Sequence, residues 1–347
     1  MSVAGGNSVH RLARWLWRRD GGGQVVRLVL APAALLYAAV VRLRAAVYRR
    51  ALRPVRRLPR PAVAVGNLSV GGTGKTPLAA WIARYYVARG RRPGILLRGV
   101  GGDEALVHRH LVPEAVVVAD PDRVAGAARA LAQGAEVLVL DDAFQLLSVA
   151  RDLNIAVVSA ESAEASRWLL PAGPWREGWD ALERADAIVV TRKSASREAA
   201  DALARRLAER QPQTPLCVAG LTLECLEGMQ SGTRHGLERL AGRRVLAAAG
   251  IADPESLAVQ LRATGADVQL LAYQDHHRYA DDDLARLVRG AARADYVVIT
   301  EKDAVKLRGR WPGDAPEPLI AGLAVRWERN GAALEQALDA VLARVPR

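Results

Sequence analysis

From residue 62 onward the chain alternates short, continuously apolar runs with longer amphipathic ones. Residues 62–65, 94–97, 115–119, 136–140, 155–159 and 187–191 read as buried strands, and 76–84, 123–132 and 196–210 as helices between them. A second set starts near Arg243, with strands at 245–249, 268–272 and 296–299, helices at 254–264 and 281–292, then a strand at 319–325 and a helix at 332–344. Strands apolar on both faces, each followed by a helix, predict an α/β fold with a mostly parallel, doubly wound sheet.

The N-terminal sixty residues follow a different pattern. Residues 1–24 are rich in Arg, Trp and Gly, and 25–48 form an apolar stretch whose charge-free core, 28–41, is 14 residues long. A bilayer crossing needs ~20 apolar residues. Arg27, Arg42, Arg44, Arg49 and Arg50 flank the core, and Trp15, Trp17, Tyr37 and Tyr48 suit headgroup depth. This predicts a basic amphipathic helix lying in a membrane interface; the alternative is a core helix packed on the sheet.

Charge sharpens the picture. The formal net charge is +12, and residues 1–60 carry all of it, with 13 Arg against the single acid Asp20. The remaining 287 residues hold 36 basic and 36 acidic side chains. The basic arm should therefore meet an anionic surface, and the neutral body argues against a nucleic-acid enzyme with a basic groove. Cys217 and Cys225 offer neither a disulfide framework nor metal-ligand spacing, and read as small buried residues in a reducing compartment.

Candidate chemistry centres on Gly71-Gly72-Thr73-Gly74-Lys75-Thr76, between a predicted strand and a predicted helix. Glycines allow backbone N–H groups to turn in around phosphate oxygens, and the helix N-terminus adds partial positive charge. Lys75 would reach the β- and γ-phosphates of a nucleotide, and the Thr76 hydroxyl would hold Mg²⁺. Ser69 occupies the first glycine position of the strict P-loop pattern. The fold expected is thus P-loop NTPase-like with a second, smaller α/β lobe. The expected division is a membrane-associating segment at 1–60, a P-loop kinase core at 61–211, a linker at 212–242 and the second lobe at 243–347.

Other residues gather at predicted strand ends. The run VLVLDD delivers Asp141 and Asp142 to a carboxyl edge, where one or both would organise Mg²⁺. Asp103 and Glu104 follow a glycine-rich turn after a strand; a carboxylate there would accept a proton from an attacking hydroxyl, or simply belong to a solvated acidic loop. The rigid turn LPAGPWRE carries Arg176 and Glu177. In Asp275-His276-His277 the adjacent imidazoles diverge, so a single histidine poised for proton handling fits better than a metal pair. The segment TEKDAVK at 300–306 holds two of the chain's four lysines, Lys75, Lys193, Lys302 and Lys306, against 45 arginines.

These residues together resemble the tetraacyldisaccharide 4′-kinase family of lipid A biosynthesis. The resemblance covers about residues 25–340 and rests on VGNLSVGGTGKTP, RGVGG running into GDE, LDDAFQ, LPAGPWRE, and AGIADP with DHH and TEKDAVK. Ser69 is similar to that family's own loop. The resemblance implies transfer of the ATP γ-phosphate to the 4′-hydroxyl of a tetraacylated glucosamine disaccharide 1-phosphate, giving lipid IVA. It also implies a peripheral or monotopic enzyme at the cytoplasmic face of a bacterial inner membrane. By position it assigns Gly71 to Thr76 to ATP, with Thr76, Asp141 and Asp142 serving Mg²⁺. Asp103 becomes the base, assisted by His276, while Glu104, Gln145, Arg176 and Glu177 organise substrate or active site. Three features depart from the family pattern: Leu146 replaces a usual histidine, Val100 replaces a tyrosine, and the loop before Asp103 is short. The rival is a membrane-associated P-loop ATPase that positions partners; that class places a lysine before the double glycine, where this chain has Val70.

Overall fold

The computed structural model describes residues 21–99, 102–163 and 168–345. The expectations for Trp15, Trp17 and the rest of the arm at 1–20, and for Val100 and Gly101, lie outside these residues.

The first half of the body contains strands β1 (Ala62–Asn67), β2 (Pro93–Leu97), β3 (Val116–Ala119), β4 (Val137–Asp141), β5 (Leu153–Ser159) and β6 (Ala187–Arg192). Helices α2 (Lys75–Val87), α3 (Asp103–Leu111), α4 (Arg123–Ala132), the single turn α5 (Ala160–Ala163) and α6 (Arg197–Arg210) connect them, and α1 (Gly21–Arg49) precedes them all. Side chains alternate across a strand, so one sheet supplies two cores. Val63, Val65, Val137, Val139, Ile155 and Val157 face α2 and the C-terminal helix α10 (Gly331–Leu342). On the opposite face, Ala62, Ala64, Leu138 and Leu140 pack against α4, and Ala156, Val158, Ile188 and Val190 against α6. The doubly wound expectation holds.

A long strand, β7 (Leu216–Gly228), lies inside the segment expected to be a linker. Its first residues pair parallel with β6, and the rest pair antiparallel with β12 (Leu319–Arg329). Beyond β12 lie β11 (Tyr296–Thr300), β9 (Arg244–Ala249) and β10 (Asp267–Ala272), all parallel to β12, while the two-residue β8 (Arg234–His235) pairs with β7. Helices α7 (Pro254–Arg262), α8 (Asp281–Ala291) and α9 (Glu301–Leu307) cover this second half. The order across the 12-stranded sheet is β10-β9-β11-β12-β7-β6-β5-β1-β4-β2-β3, with β8 off this path. Strand direction reverses once along it, at the β7–β12 pair. Because β6 pairs with the start of β7 and β11 with the start of β12, at opposite ends of this ribbon, the carboxyl edges of the two parallel half-sheets face each other. Ligands bind outside carboxyl edges in open α/β sheets; here two such edges share one cleft.

Helix α1 is 29 residues long. Ala34 and Ala38, one turn apart, are buried, whereas Val25, Leu28, Val29, Leu35, Leu36, Val40 and Leu43 are exposed. That exposure excludes the core-helix alternative. Within Gln24–Arg49 an 18-residue window has a mean hydropathy of 1.9, long and apolar enough to cross a membrane by length and composition. The 14-residue core understated it, because the apolar run continues past Arg27. Arg42 pairs with Asp180 at 3.3 Å, and Arg44 donates to the Gln145 carbonyl at 3.1 Å, seating the helix on the first half of the sheet.

Candidate active site

Strand β1 is central to the first half, between β5 and β4, and its carboxyl end feeds the glycine loop. Asn67, fully buried, donates through Nδ2 to the Ser69 carbonyl at 2.5 Å and the Thr73 hydroxyl at 2.9 Å, pinning the loop across its base. Gly71 and Gly74 take φ of 115° and 88°, the left-handed region that glycine adopts without a Cβ clash. Gly74 offers no side chain to cap α2, so the first-turn N–H groups of a 13-residue helix remain available to an anion. Two further side chains hold the loop from β6: Thr191 Oγ1 donates to Thr73 O at 2.8 Å, and Lys193 Nζ donates to Gly72 O. The 168–177 turn docks against its entrance, with Val70 N to Pro174 O at 2.8 Å and Arg176 N to Leu68 O at 2.7 Å.

Asp141 ends β4, the strand beside β1, and is 3% exposed. Its Oδ2 accepts from Thr76 Oγ1 at 3.3 Å and lies 2.9 Å from His108 Nε2; its Oδ1 accepts from Asp142 N at 2.8 Å. Burial pushes this carboxyl up, but the His108 bond and charge, Lys75 and the Asp142 amide together hold it below the usual range. Asp142 takes φ of 52°, which turns its carboxylate toward Lys75 Nζ at 3.6 Å and Arg176 Nη1 at 3.2 Å. A non-glycine residue there is strained, and such strain concentrates at functional sites.

Asp103 opens α3 rather than a loop, with Gly102 (φ 77°) before it. Its carboxylate is 6% exposed and lies between two basic groups: His276 Nδ1 at 3.0 Å from Oδ2 and 3.2 Å from Oδ1, and Lys306 Nζ at 3.1 Å from Oδ2. Burial raises this carboxyl, yet the hydrogen bonds and charges of His276 and Lys306 overcome it and hold the group well below the usual carboxylate range. The Asp103 bond in turn raises the His276 imidazole above its ordinary value, against the opposing effect of burial. The His276 side chain is 42% exposed and its φ is 58°. Beside the pair, Glu104 is raised mainly by burial and lies 3.7 Å from Lys302 Nζ. Thus 173 residues of sequence separate two side chains in contact.

Between these groups lies a cleft of about 410 Å³ walled by both halves, with Gly72, Lys75 and Arg176 on one lip and Ile251, His276 and Lys302 on the other. Gln145 and Glu177 stand behind the loop: Gln145 Nε2 donates to Asn67 O at 2.8 Å, and Glu177 pairs with Arg184 at 2.5 Å. Glu177 lines a second cavity, about 870 Å³, between the end of α1 and the body. Arg176 and Glu177, adjacent in sequence, therefore face different cavities. Leu146, at the usual histidine position, packs against the Leu138–Leu140 core.

Two contributors escaped sequence reading. His108 is fully buried on Asp141; its only signal was its position five residues after Asp103 in a segment not read as helix. Asp303, also fully buried, accepts from Gly250 N at 3.1 Å, Tyr279 OH at 2.9 Å and Thr300 Oγ1 at 2.6 Å. It ties together three segments of the lip that carries His276.

Thr76 Oγ1 and the Asp141 and Asp142 carboxylates form a hard oxygen donor set at the foot of the loop. Among the described residues no group of three or more His, Cys, Asp or Glu side chains could hold a metal alone. That suits Mg²⁺, which takes one or two carboxylates and completes its shell with phosphate oxygens and water. The donor set fits the ion.

A glycine loop at the carboxyl end of the central strand, an acid on the neighbouring strand and an Asp–His contact joining the two halves define a P-loop phosphotransferase. Comparison with known proteins narrows the class. Residues 26–105 and 100–343 match the family described as Tetraacyldisaccharide-1-P 4'-kinase. The tetraacyldisaccharide 4′-kinase of Pelobacter propionicus is 38% identical over 322 residues, covering 85% of this chain and 87% of that protein. That of Geobacter sulfurreducens is 36% identical over 358 residues, covering 94% and 98%. LpxK from Aquifex aeolicus, crystallised in complex with ATP, superposes with a TM-score of 0.71 at 26% identity over 91% of this chain and 99% of that one. The chain belongs to the tetraacyldisaccharide 4′-kinase family.

Proposed function

We propose that this protein transfers the γ-phosphoryl group of ATP to the 4′-hydroxyl of a tetraacyldisaccharide 1-phosphate, giving lipid IVA and ADP. Family membership supports the reaction. The observation that carries the mechanism is the placement of the glycine loop and His276 on opposite lips of one cleft, with Asp103 of the loop's own half reaching across to His276.

In this reading the loop N–H groups and Lys75 hold the β- and γ-phosphates, and Arg176 approaches the transferring group from the side. Mg²⁺, held by Thr76 with Asp141 and Asp142, would neutralise charge on the phosphates. His108, 2.9 Å from Asp141 Oδ2, holds that carboxylate in place, where it would face the ion. We assign the base to His276 in place of Asp103. The Asp103 carboxylate is buried and engaged on both oxygens, which makes it a poor proton acceptor. His276 is open to the cleft, and with Nδ1–H donating to Asp103 its Nε2 lone pair can receive a proton. Nε2 takes the 4′-hydroxyl proton as that oxygen bonds to the γ-phosphorus; the bond from γ-phosphorus to the bridging oxygen breaks, and the electron pair leaves on ADP. In-line transfer of this kind depends on positioning and charge neutralisation.

The acceptor is a lipid, and the exposed apolar face of α1 with its flanking arginines supports operation at an anionic membrane surface, at the cytoplasmic face. Glu177 lines the cavity between α1 and the body and its neighbour Arg176 lines the cleft, a proximity that supports an approach of the acylated substrate from the α1 side. The test is incubation with γ-labelled ATP and a tetraacyldisaccharide 1-phosphate in detergent. A labelled bisphosphorylated lipid is expected; ATP hydrolysis without labelled lipid would favour the positioning ATPase.

A further inference from the structure

Arginine supplies 45 of the 49 basic side chains, yet the four lysines all gather around one cleft. Lys75, Lys193 and Lys302 line it. Lys306 stands behind it, 15% exposed, with Nζ buried and 3.1 Å from Asp103 Oδ2. The phosphate-binding loop accounts for Lys75; nothing in the reaction so far accounts for Lys306. A buried ammonium is unfavourable unless paired, and breaking such a pair strands the partner charge. The compact ammonium also differs from an arginine fork, which would seek two acceptors in one plane.

The geometry places Asp103 between an imidazole and an ammonium, with His276 on the cleft side and Lys306 on the buried side. An ionised carboxylate whose only cationic partner is the imidazole would favour a closed imidazolium–carboxylate pair, and a protonated imidazole accepts no further proton. We propose that Lys306 is a positioning residue for phosphoryl transfer: its ammonium keeps Asp103 ionised and fixed in place, and shares the carboxylate's charge so that His276 is oriented without being locked as the imidazolium. This rests on the reading of His276 as base. Among the described residues, the charged groups facing His276 are Asp103 and Glu104 from α3, Lys302 from α9 and Asp275 from its own loop, with Lys306 acting through Asp103.

The test is the pH dependence of kcat/KM for lipid phosphorylation by the full chain in detergent micelles, for wild type, K306M and K306R. A base must be deprotonated, so activity rises with pH through the His276 pKa. Removing the positive charge that shares the Asp103 carboxylate stabilises the imidazolium and should move the acid limb upward by about one pH unit. K306M should then be several-fold slower at pH 7 and regain most of its activity above pH 8.5, while K306R keeps the limb at its wild-type position. A uniform loss at every pH, or an unmoved limb, would overturn the inference. If K306M melts well below wild type, K306Q carries the same comparison. His276→Ala separates the two claims: an inactive H276A beside an unmoved K306M limb rejects Lys306 alone, whereas an H276A enzyme with wild-type turnover rejects the base assignment.

Discussion

Replacing Asp103 with asparagine tests the pair on which the mechanism depends. The amide keeps the size of the carboxylate and one acceptor oxygen facing His276 Nδ1, now 3.0 Å away, but removes the charge. A hydrogen bond to a charged group is worth about 1.5–3 kcal/mol. At 1.36 kcal/mol per decade, losing it as the imidazolium develops should lower kcat roughly 10- to 100-fold. The direction of the pH effect follows independently. Asp103 raises the His276 imidazole, so D103N lets it fall, and the acid limb of kcat/KM moves to lower pH while the plateau drops. The Asp103 carboxylate is engaged by His276 and Lys306 and not by the ATP loop, so KM for ATP should change by less than about threefold, under half a decade or 0.7 kcal/mol. The assay is steady-state transfer of labelled phosphate to the lipid acceptor from pH 5.5 to 9. An unchanged kcat with an unmoved limb would refute the pairing, and a loss confined to KM for ATP would relocate Asp103 to nucleotide binding.

Lys193→Met should raise KM for ATP about tenfold, equivalent to one charge-assisted bond to the loop, with a smaller change in kcat; nucleotide titration and steady-state kinetics separate the two. His108→Phe leaves the buried Asp141 without its main partner and should destabilise the fold by about 3 kcal/mol, read as a fall in the denaturant midpoint. Burial pushes Glu301 up to about 7, so the folded state binds that proton more tightly than the unfolded chain does. Its contribution to stability is therefore present at pH 4 and lost as pH rises through 7. Glu301→Gln should melt higher than wild type at pH 8 and not at pH 4; equal melts at both values would reject the shift. Deleting residues 1–50 should release the protein from vesicles containing anionic lipid in a flotation assay, and retained binding would reject the anchor.

Legibility in the sequence followed local physics. β1, β4, β5 and β6 were readable because both faces are buried, which leaves unbroken apolar runs between glycines and charges. β7 was not, because its second half alternates buried and half-exposed residues, and Thr222, Glu224 and Cys225 disguise it as a connection. α3 was missed for a similar reason: it is nine residues long, polar on average and preceded by glycine, so its pattern is that of a turn. The cost of that miss was His108, whose role appears only once one helical turn brings it over Asp141. The residues carrying phosphate chemistry were local to one motif and visible. The proton-handling pair was nameable only residue by residue, since its contact depends on the single reversal of strand direction at β7 and β12.

The seating of α1 on the first half of the sheet, through Gln145 and Asp180, has a consequence for how the enzyme meets its acceptor. If α1 holds the enzyme in a bilayer as proposed, the enzyme and an acceptor held there by its acyl chains share a plane. Their encounter is then a search in two dimensions, and the concentration that governs it is the number of lipids per unit area. Adding inert detergent or lipid at constant bulk substrate should slow the reaction by spreading the acceptor over more surface. For an enzyme anchored this way, the surface density of the acceptor would set the rate as surely as the chemistry of the cleft.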